Sequence, residues 1–171
     1  MVANKAAQPL SAEQLAQCAA RARVLEARIL AQLPLARAMQ VRMVGFDGER
    51  VILAAPLAEN INDKGTGFAG SLATLATLAG WCLVTLLSEQ AGARCEAAIY
   101  RSEIDFRRPV REELRAEAWV SEAAAVARLH ERLEAGKRAR LSIAARLGPE
   151  ADPALLFAGH YAVWRTGTQP F

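Results

Sequence analysis

Histidine is scarce in this chain, with His130 and His160 its only two, and the three cysteines Cys18, Cys82 and Cys95 fall at no metal or redox spacing. A zinc or other transition-metal centre is therefore not expected, and the odd count argues against a complete disulfide framework. Reduced thiols in a cytoplasmic protein are the simpler reading. The opening stretch MVANKAAQPLSAEQ has no apolar core, so it is not read as a signal peptide. Net charge is only +3, and arginines alternate with glutamates through the second half instead of gathering into a basic run interleaved with aromatics. That excludes nucleic acid as an expected partner and leaves an acidic or phosphate-bearing one.

What is abundant is apolar residue, at 53% of the chain, enough for one domain with a sizeable core. The expected organisation is a flexible tail over 1–10 and a single domain over 11–171, made of an N-terminal helix over 11–33 and a main fold over 34–165. Ser11 and Gln14 form a capping-box pattern, and Leu15, Cys18, Ala22, Leu25 and Ile29 recur at helical spacing until Leu33-Pro34. MQVRMVGFDGERVILAAPL reads as two strands around the turn Asp47-Gly48. From Gly65 to Ser88 the chain carries no charge, long enough to raise a membrane span. Its glycines and hydroxyls favour a core helix from about Gly70 to Gln90, wrapped by a sheet. CEAAIYRSEIDFRRPV then reads as a strand stopped by Pro109, LRAEAWVSE as its hairpin partner, Ala123 to Glu134 as a helix, and KRARLSIAARLG and LLFAGHYAVWR as two final strands.

The loop before the long helix, NINDKGTGFAGS, contains a literal G-x-G-x-x-G. A dinucleotide fingerprint needs a strand running straight into the first glycine and a parallel strand after the helix. Here a polar turn, Ala58 to Lys64, intervenes and the strands arrive in hairpins, so NAD or FAD is not expected.

An antiparallel sheet curled around a long central helix is the hotdog architecture, an α+β fold, here with an additional N-terminal helix. Asn62, Gly65, Thr66 and Gly70 in NDKGTGFAG stand at the spacing of the N-x-x-G-T-x-x-G-G loop of hotdog acyl-CoA thioesterases, and IDFRRPV resembles that family's aromatic-x-x-Pro strand. The stretch APLAENINDKGTGFAGSLATLATLAGW resembles the thioesterase-like domain at the C-terminus of YiiD-type proteins, over Pro34 to Arg165. Two departures stand out: Phe68 and Ala69 occupy positions where the thioesterase loop often has histidine and glycine, and Thr77 stands where many of these enzymes carry a catalytic Asp or Glu.

Thioester hydrolysis needs donors for a developing oxyanion and a base or nucleophile to deliver water. The N–H groups of Ala69, Gly70 and Ser71 at the helix start supply the donors. Thr77 is no base, which leaves Asp63, itself an ordinary turn residue on its other reading. Decarboxylation of a malonyl thioester needs no activated water, and the neutral groups Asn62 and Thr77 can orient the departing carboxylate without stabilising it too strongly. The resemblance to YiiD-type proteins implies the same activity, malonyl-acyl-carrier-protein decarboxylation in fatty-acid synthesis. No cofactor is expected beyond the phosphopantetheine of acyl carrier protein or coenzyme A that carries the substrate; the resemblance implies that Phe68, Arg107 and Arg108, with Arg111 in the same cluster, approach that arm, a solvated strand end being the other reading of the arginines. A homodimer is expected because the strand Cys95 to Val110 would otherwise expose an edge. Thioesterase, and a non-catalytic acyl-binding module, are the alternatives.

Overall fold

The computed structural model describes residues 10–92, 94–122 and 124–167. The tail expected before residue 11 lies outside them, save Leu10.

Ser11 starts the first helix, α1 (Ala12–Gln32), with both arms of the capping box formed: its hydroxyl accepts from the Gln14 N–H and its own N–H reaches the Gln14 side chain. Cys18, Ala22, Leu25 and Ile29 are buried as their spacing requires, while Leu15 stays half exposed. Pro34 cannot continue that helix and instead opens a short one, α2 (Pro34–Ala38). The strands β1 (Arg42–Phe46) and β2 (Arg50–Ala55) pair as the expected hairpin, with Asp47 Oδ1 accepting from the N–H groups of Glu49 and Arg50 in the turn. Asp47 thus shapes the turn with its side chain.

After a short 3-10 turn, Ala58–Asn60, the chain enters α3 (Ala69–Gln90), whose sheet-facing residues Leu75, Ala76, Ala79 and Leu83 are fully buried. This is the helix long and apolar enough to cross a membrane, and the sheet encloses it: it touches β2 and each of the four strands that follow, β3 (Cys95–Phe106), β4 (Leu114–Val120), β5 (Ala139–Leu147) and β6 (Leu155–Arg165). A further helix, α4 (Ala124–Glu134), buries Leu129 and Leu133 where it packs on β5 and α3.

All pairings are antiparallel, in the order β1-β2-β4-β5-β6-β3. This corrects one sequence expectation, because β4 is not the hairpin partner of β3. The strand before Pro109 ends at Phe106, and the segment after it crosses the start of α3, where the Val110 carbonyl accepts the Gly67 N–H at 2.8 Å. The chain thereby passes to the far side of the helix before β4 begins. β3 pairs only with β6 among the described residues and forms one edge of the sheet. Alternation of apolar and polar residues looks the same for either neighbour, so periodicity alone could not choose between them.

Candidate active site

The loop between β2 and α3 is closed by two asparagines. Asn60 is buried, and its side-chain Nδ2 donates to the carbonyls of Met39 (3.0 Å) and Pro56 (2.8 Å), while its backbone carbonyl accepts the Phe68 N–H at 2.7 Å. Asn62 is half buried and spends its whole amide on the loop. Its Oδ1 accepts from the N–H groups of Lys64 (2.9 Å) and Thr66 (3.1 Å), and its Nδ2 donates to Thr66 Oγ1 (3.0 Å) and the Gly67 carbonyl (3.4 Å). Gly65 takes φ +74°, a left-handed conformation that closes the turn at little cost only without a Cβ.

This closure fixes the N-terminus of α3. Phe68 caps it in extended conformation without any side-chain hydrogen bond, and the first helical bond runs from the Leu72 N–H to the Phe68 carbonyl at 3.0 Å. The N–H groups of Ala69, Gly70 and Ser71 therefore have no acceptor within the helix. Ala69 and Gly70 are exposed and Ser71 half buried, so these donors, reinforced by the helix dipole, face open space. The Phe68 ring, 54% exposed, lies against Gly70, where a Cβ would come within 2.4 Å of its Cε1.

A groove of about 550 Å3 begins one turn further along. Its floor is the outer face of α3, namely Ala73, Thr74, Thr77, Leu78 and Trp81, and its opposite wall is Ile29 and Gln32 of α1, Leu33 at the junction of the two helices, and Leu35 and Ala36 of α2. Ile99, Tyr161 and Arg28 complete it. No carboxylate or imidazole lines it. The Thr77 side chain makes no hydrogen bond among the described residues, unlike Ser88, whose hydroxyl bonds back to the Val84 carbonyl at 2.7 Å. The backbone at Thr77 is held from below, where the buried Tyr161 hydroxyl donates to its carbonyl at 2.8 Å. Burial raises the Tyr161 pKa above the ordinary phenol value, so this hydroxyl keeps its proton.

The sequence-derived residues thus fall into three places. Ala69, Gly70 and Ser71 with Phe68 form the helix N-terminus. Thr77 lies in the groove on the same face as Gly70, about 10 Å further along the axis by helical rise. Because helix N–H groups point towards the N-terminus, the Gly70 donor faces away from Thr77, and one chain does not hold both ends of a malonyl group between them. Asp63 is exposed on the loop and paired with Lys64 at 2.9 Å. Arg107 and Arg108 sit past the end of β3, the first paired with Asp105 (2.7 Å) and the second with the carboxylate of Asp152 (2.9 Å) and its carbonyl. None of Asn62, Asp63, Arg107 or Arg108 lines the groove. Nor do the histidines: His130 Nε2 meets the Leu87 carbonyl at 2.9 Å, and His160 Nδ1 meets Ser142 Oγ at 2.9 Å. The sequence reading passed over Asn60, Thr74 and the α1 wall. Of these only Asn60 left a signal, as a second asparagine in a loop already singled out.

A single apolar helix wrapped by a six-stranded antiparallel sheet, with its uncapped N-terminus presented by a glycine-rich loop, defines a hotdog protein of the thioesterase-like kind. Residues 22–165 match the family described as "Putative thioesterase (yiiD_Cterm)", and the chain belongs to that family. It is similar to a Chlorobaculum tepidum protein of unknown function, with 28% identity and a TM-score of 0.79 over 85% of this chain and 94% of that one. A Pseudomonas aeruginosa protein described as a probable thioesterase is 25% identical, with a TM-score of 0.70 over 84% and 95% of the two chains. A Haemophilus influenzae thioesterase shares the fold at 13% identity, with a TM-score of 0.66 over 88% and 94%.

Proposed function

We propose that this acyl-thioester-processing protein decarboxylates a malonyl thioester, carried by acyl carrier protein or coenzyme A, to the acetyl thioester that primes fatty-acid synthesis. The observation that carries this reading is the chemistry of the groove, where Thr74 and Thr77 supply neutral hydroxyls on an apolar wall without any carboxylate or imidazole, and the Arg28 guanidinium in its lining is paired with Glu89 at 3.2 Å. In the reaction the bond to the carboxylate breaks, carbon dioxide leaves, and the electron pair moves into an enolate whose charge rests on the thioester oxygen. A proton from water then completes the acetyl group. Donors aimed at that oxygen are the main requirement, and loss of one such donor typically costs about 3 kcal/mol of barrier. An apolar wall also favours the step, since the localised charge of the carboxylate is lost as the bond breaks.

The separation of Gly70 from Thr77 supports a second copy as part of the working site. The free edge of β3, at whose end Phe106 is half exposed, is the surface we assign to that homodimer. Arg107 and Arg108, beyond the same strand, are then the residues proposed to meet the phosphopantetheine arm.

Hydrolysis is the second reading, favoured by a groove larger than a malonyl group needs, with Asp63 as its base. Purified protein should be incubated with malonyl-acyl carrier protein and, separately, with acetyl- and medium-chain acyl-CoA, following intact thioester mass and free thiol together. Loss of carbon dioxide mass without thiol release is the expected result. Thiol release without that loss would overturn decarboxylation in favour of hydrolysis.

A further inference from the structure

The groove is longer than the reaction requires, and its far end has a definite stop. The α3 residues on its floor, Ala73, Thr74, Thr77, Leu78 and Trp81, occupy a single helical face, while Leu72, Leu75, Ala76 and Ala79 on the opposite face are buried against the sheet. From Ala73 to Trp81 the helix rises about 12 Å. An extended hydrocarbon advances about 1.25 Å per carbon, given bonds of about 1.5 Å at near-tetrahedral angles. The floor therefore matches a chain of roughly eight to ten carbons.

The stop is Trp81. Its Nε1 donates to the Ala97 carbonyl at 3.0 Å, which pins the ring between α3 and β3. Beside it, Arg28 is tied to Glu89 at 3.2 Å. Trp81, Arg28 and Gln32 line both the groove and a second cavity of about 700 Å3 that continues past them between Thr85, Glu89, Arg94 and Trp164. The wall between an apolar space and a polar one is thus one indole and two side chains thick.

We infer that the groove seats an unbranched acyl chain of about eight to ten carbons and that Trp81 sets its length limit. The inference rests on the thioester reading for the direction of the chain, which enters at the Ala73 end of the groove and has its carbonyl end there, one turn inside α3. A chain so placed lies across Thr77, so a medium-chain acyl thioester competes with the malonyl thioester and restrains its decarboxylation.

The test is calorimetric titration of the full chain with acyl-CoA esters from two to sixteen carbons. Affinity is expected to rise about fourfold per methylene, the equilibrium equivalent of burying one such group, and to level off at about eight to ten carbons. In Trp81→Ala the levelling point moves to longer chains as the two cavities join; should that variant fail to fold, Trp81→Phe moves it by a smaller step. Ala73→Phe, which fills the groove, removes the length dependence. A wild-type affinity independent of length, as a second copy seated in the groove would produce, overturns the inference, and so does an unchanged limit in a folded Trp81 variant. Malonyl decarboxylation measured without acyl-CoA separates the two readings. Turnover with no length dependence defeats only this inference, and length dependence without turnover defeats only the decarboxylase reading.

Discussion

Gly80→Ala adds one methyl group at the point where α3 rests on β6. Built on the present backbone, the new Cβ lies 2.4 Å from the Tyr161 hydroxyl oxygen and 3.0 Å from Cζ, inside van der Waals contact. A tyrosine at a surface would swing aside, but this ring is fully buried, and Gly159 is itself a place where a Cβ would come within 2.9 Å of Tyr161 Cε2. Either α3 lifts or the Tyr161 hydroxyl leaves the Thr77 carbonyl. Overpacking costs about 1–3 kcal/mol, and stranding the buried hydroxyl costs about 1–3 kcal/mol. Against this, alanine is the better helix former by about 1 kcal/mol. The net expectation is a destabilisation of about 1–2 kcal/mol in urea unfolding. Tyr161→Phe alone should cost about 1 kcal/mol, and in the double variant the steric conflict with the hydroxyl disappears. The pair should therefore show a favourable coupling of about 1 kcal/mol or more in a double-mutant cycle. Turnover should fall in Gly80→Ala beyond what stability explains, because Thr77 rides on the displaced turn. A neutral or stabilised Gly80→Ala protein, or additive single variants, would refute the reasoning.

Asn62→Ala removes five hydrogen bonds from the loop and should cost about 1–2 kcal/mol in urea unfolding. Asp63→Ala, which loses only an exposed pair with Lys64, should change stability by less than about 0.5 kcal/mol; if it also leaves carbon dioxide release intact while Asn62→Ala does not, hydrolysis through Asp63 is excluded as the main reaction. In alkali, burial raises the pKa of Cys82 above its ordinary 9.0 and that of Tyr161 above its ordinary 10.0. Their protonated forms are thus retained in the folded state while the unfolded chain ionises, so their contribution is complete below pH 9 and is lost as pH rises above it. Each group should reduce stability by up to about 1.4 kcal/mol per pH unit in that range. Urea midpoints that stay level from pH 8 to pH 11 would contradict this.

The sequence by itself determined the elements whose signals are local. The capping box at Ser11, the Asp47-Gly48 turn and the charge-free run that became α3 each depend on contacts within a few residues, and each formed within a residue or two of its expected place. The loop over Asn62 to Gly70 was legible for the same reason, since its hydrogen bonds close on themselves. Tertiary structure alone decided the neighbours of β3, because a period of two places side chains on the correct face whichever strand lies beside it. It also decided that Thr77 lies in a groove one wall of which is α1, about fifty residues earlier in the chain. Such a wall leaves no mark in local periodicity: the exposed Leu33 and Leu35 look like ordinary surface leucines until the helix they face is in place. The donors at the start of α3 follow from backbone geometry at one helix end, whereas the length of chain they can serve depends on where Trp81 is pinned across the fold.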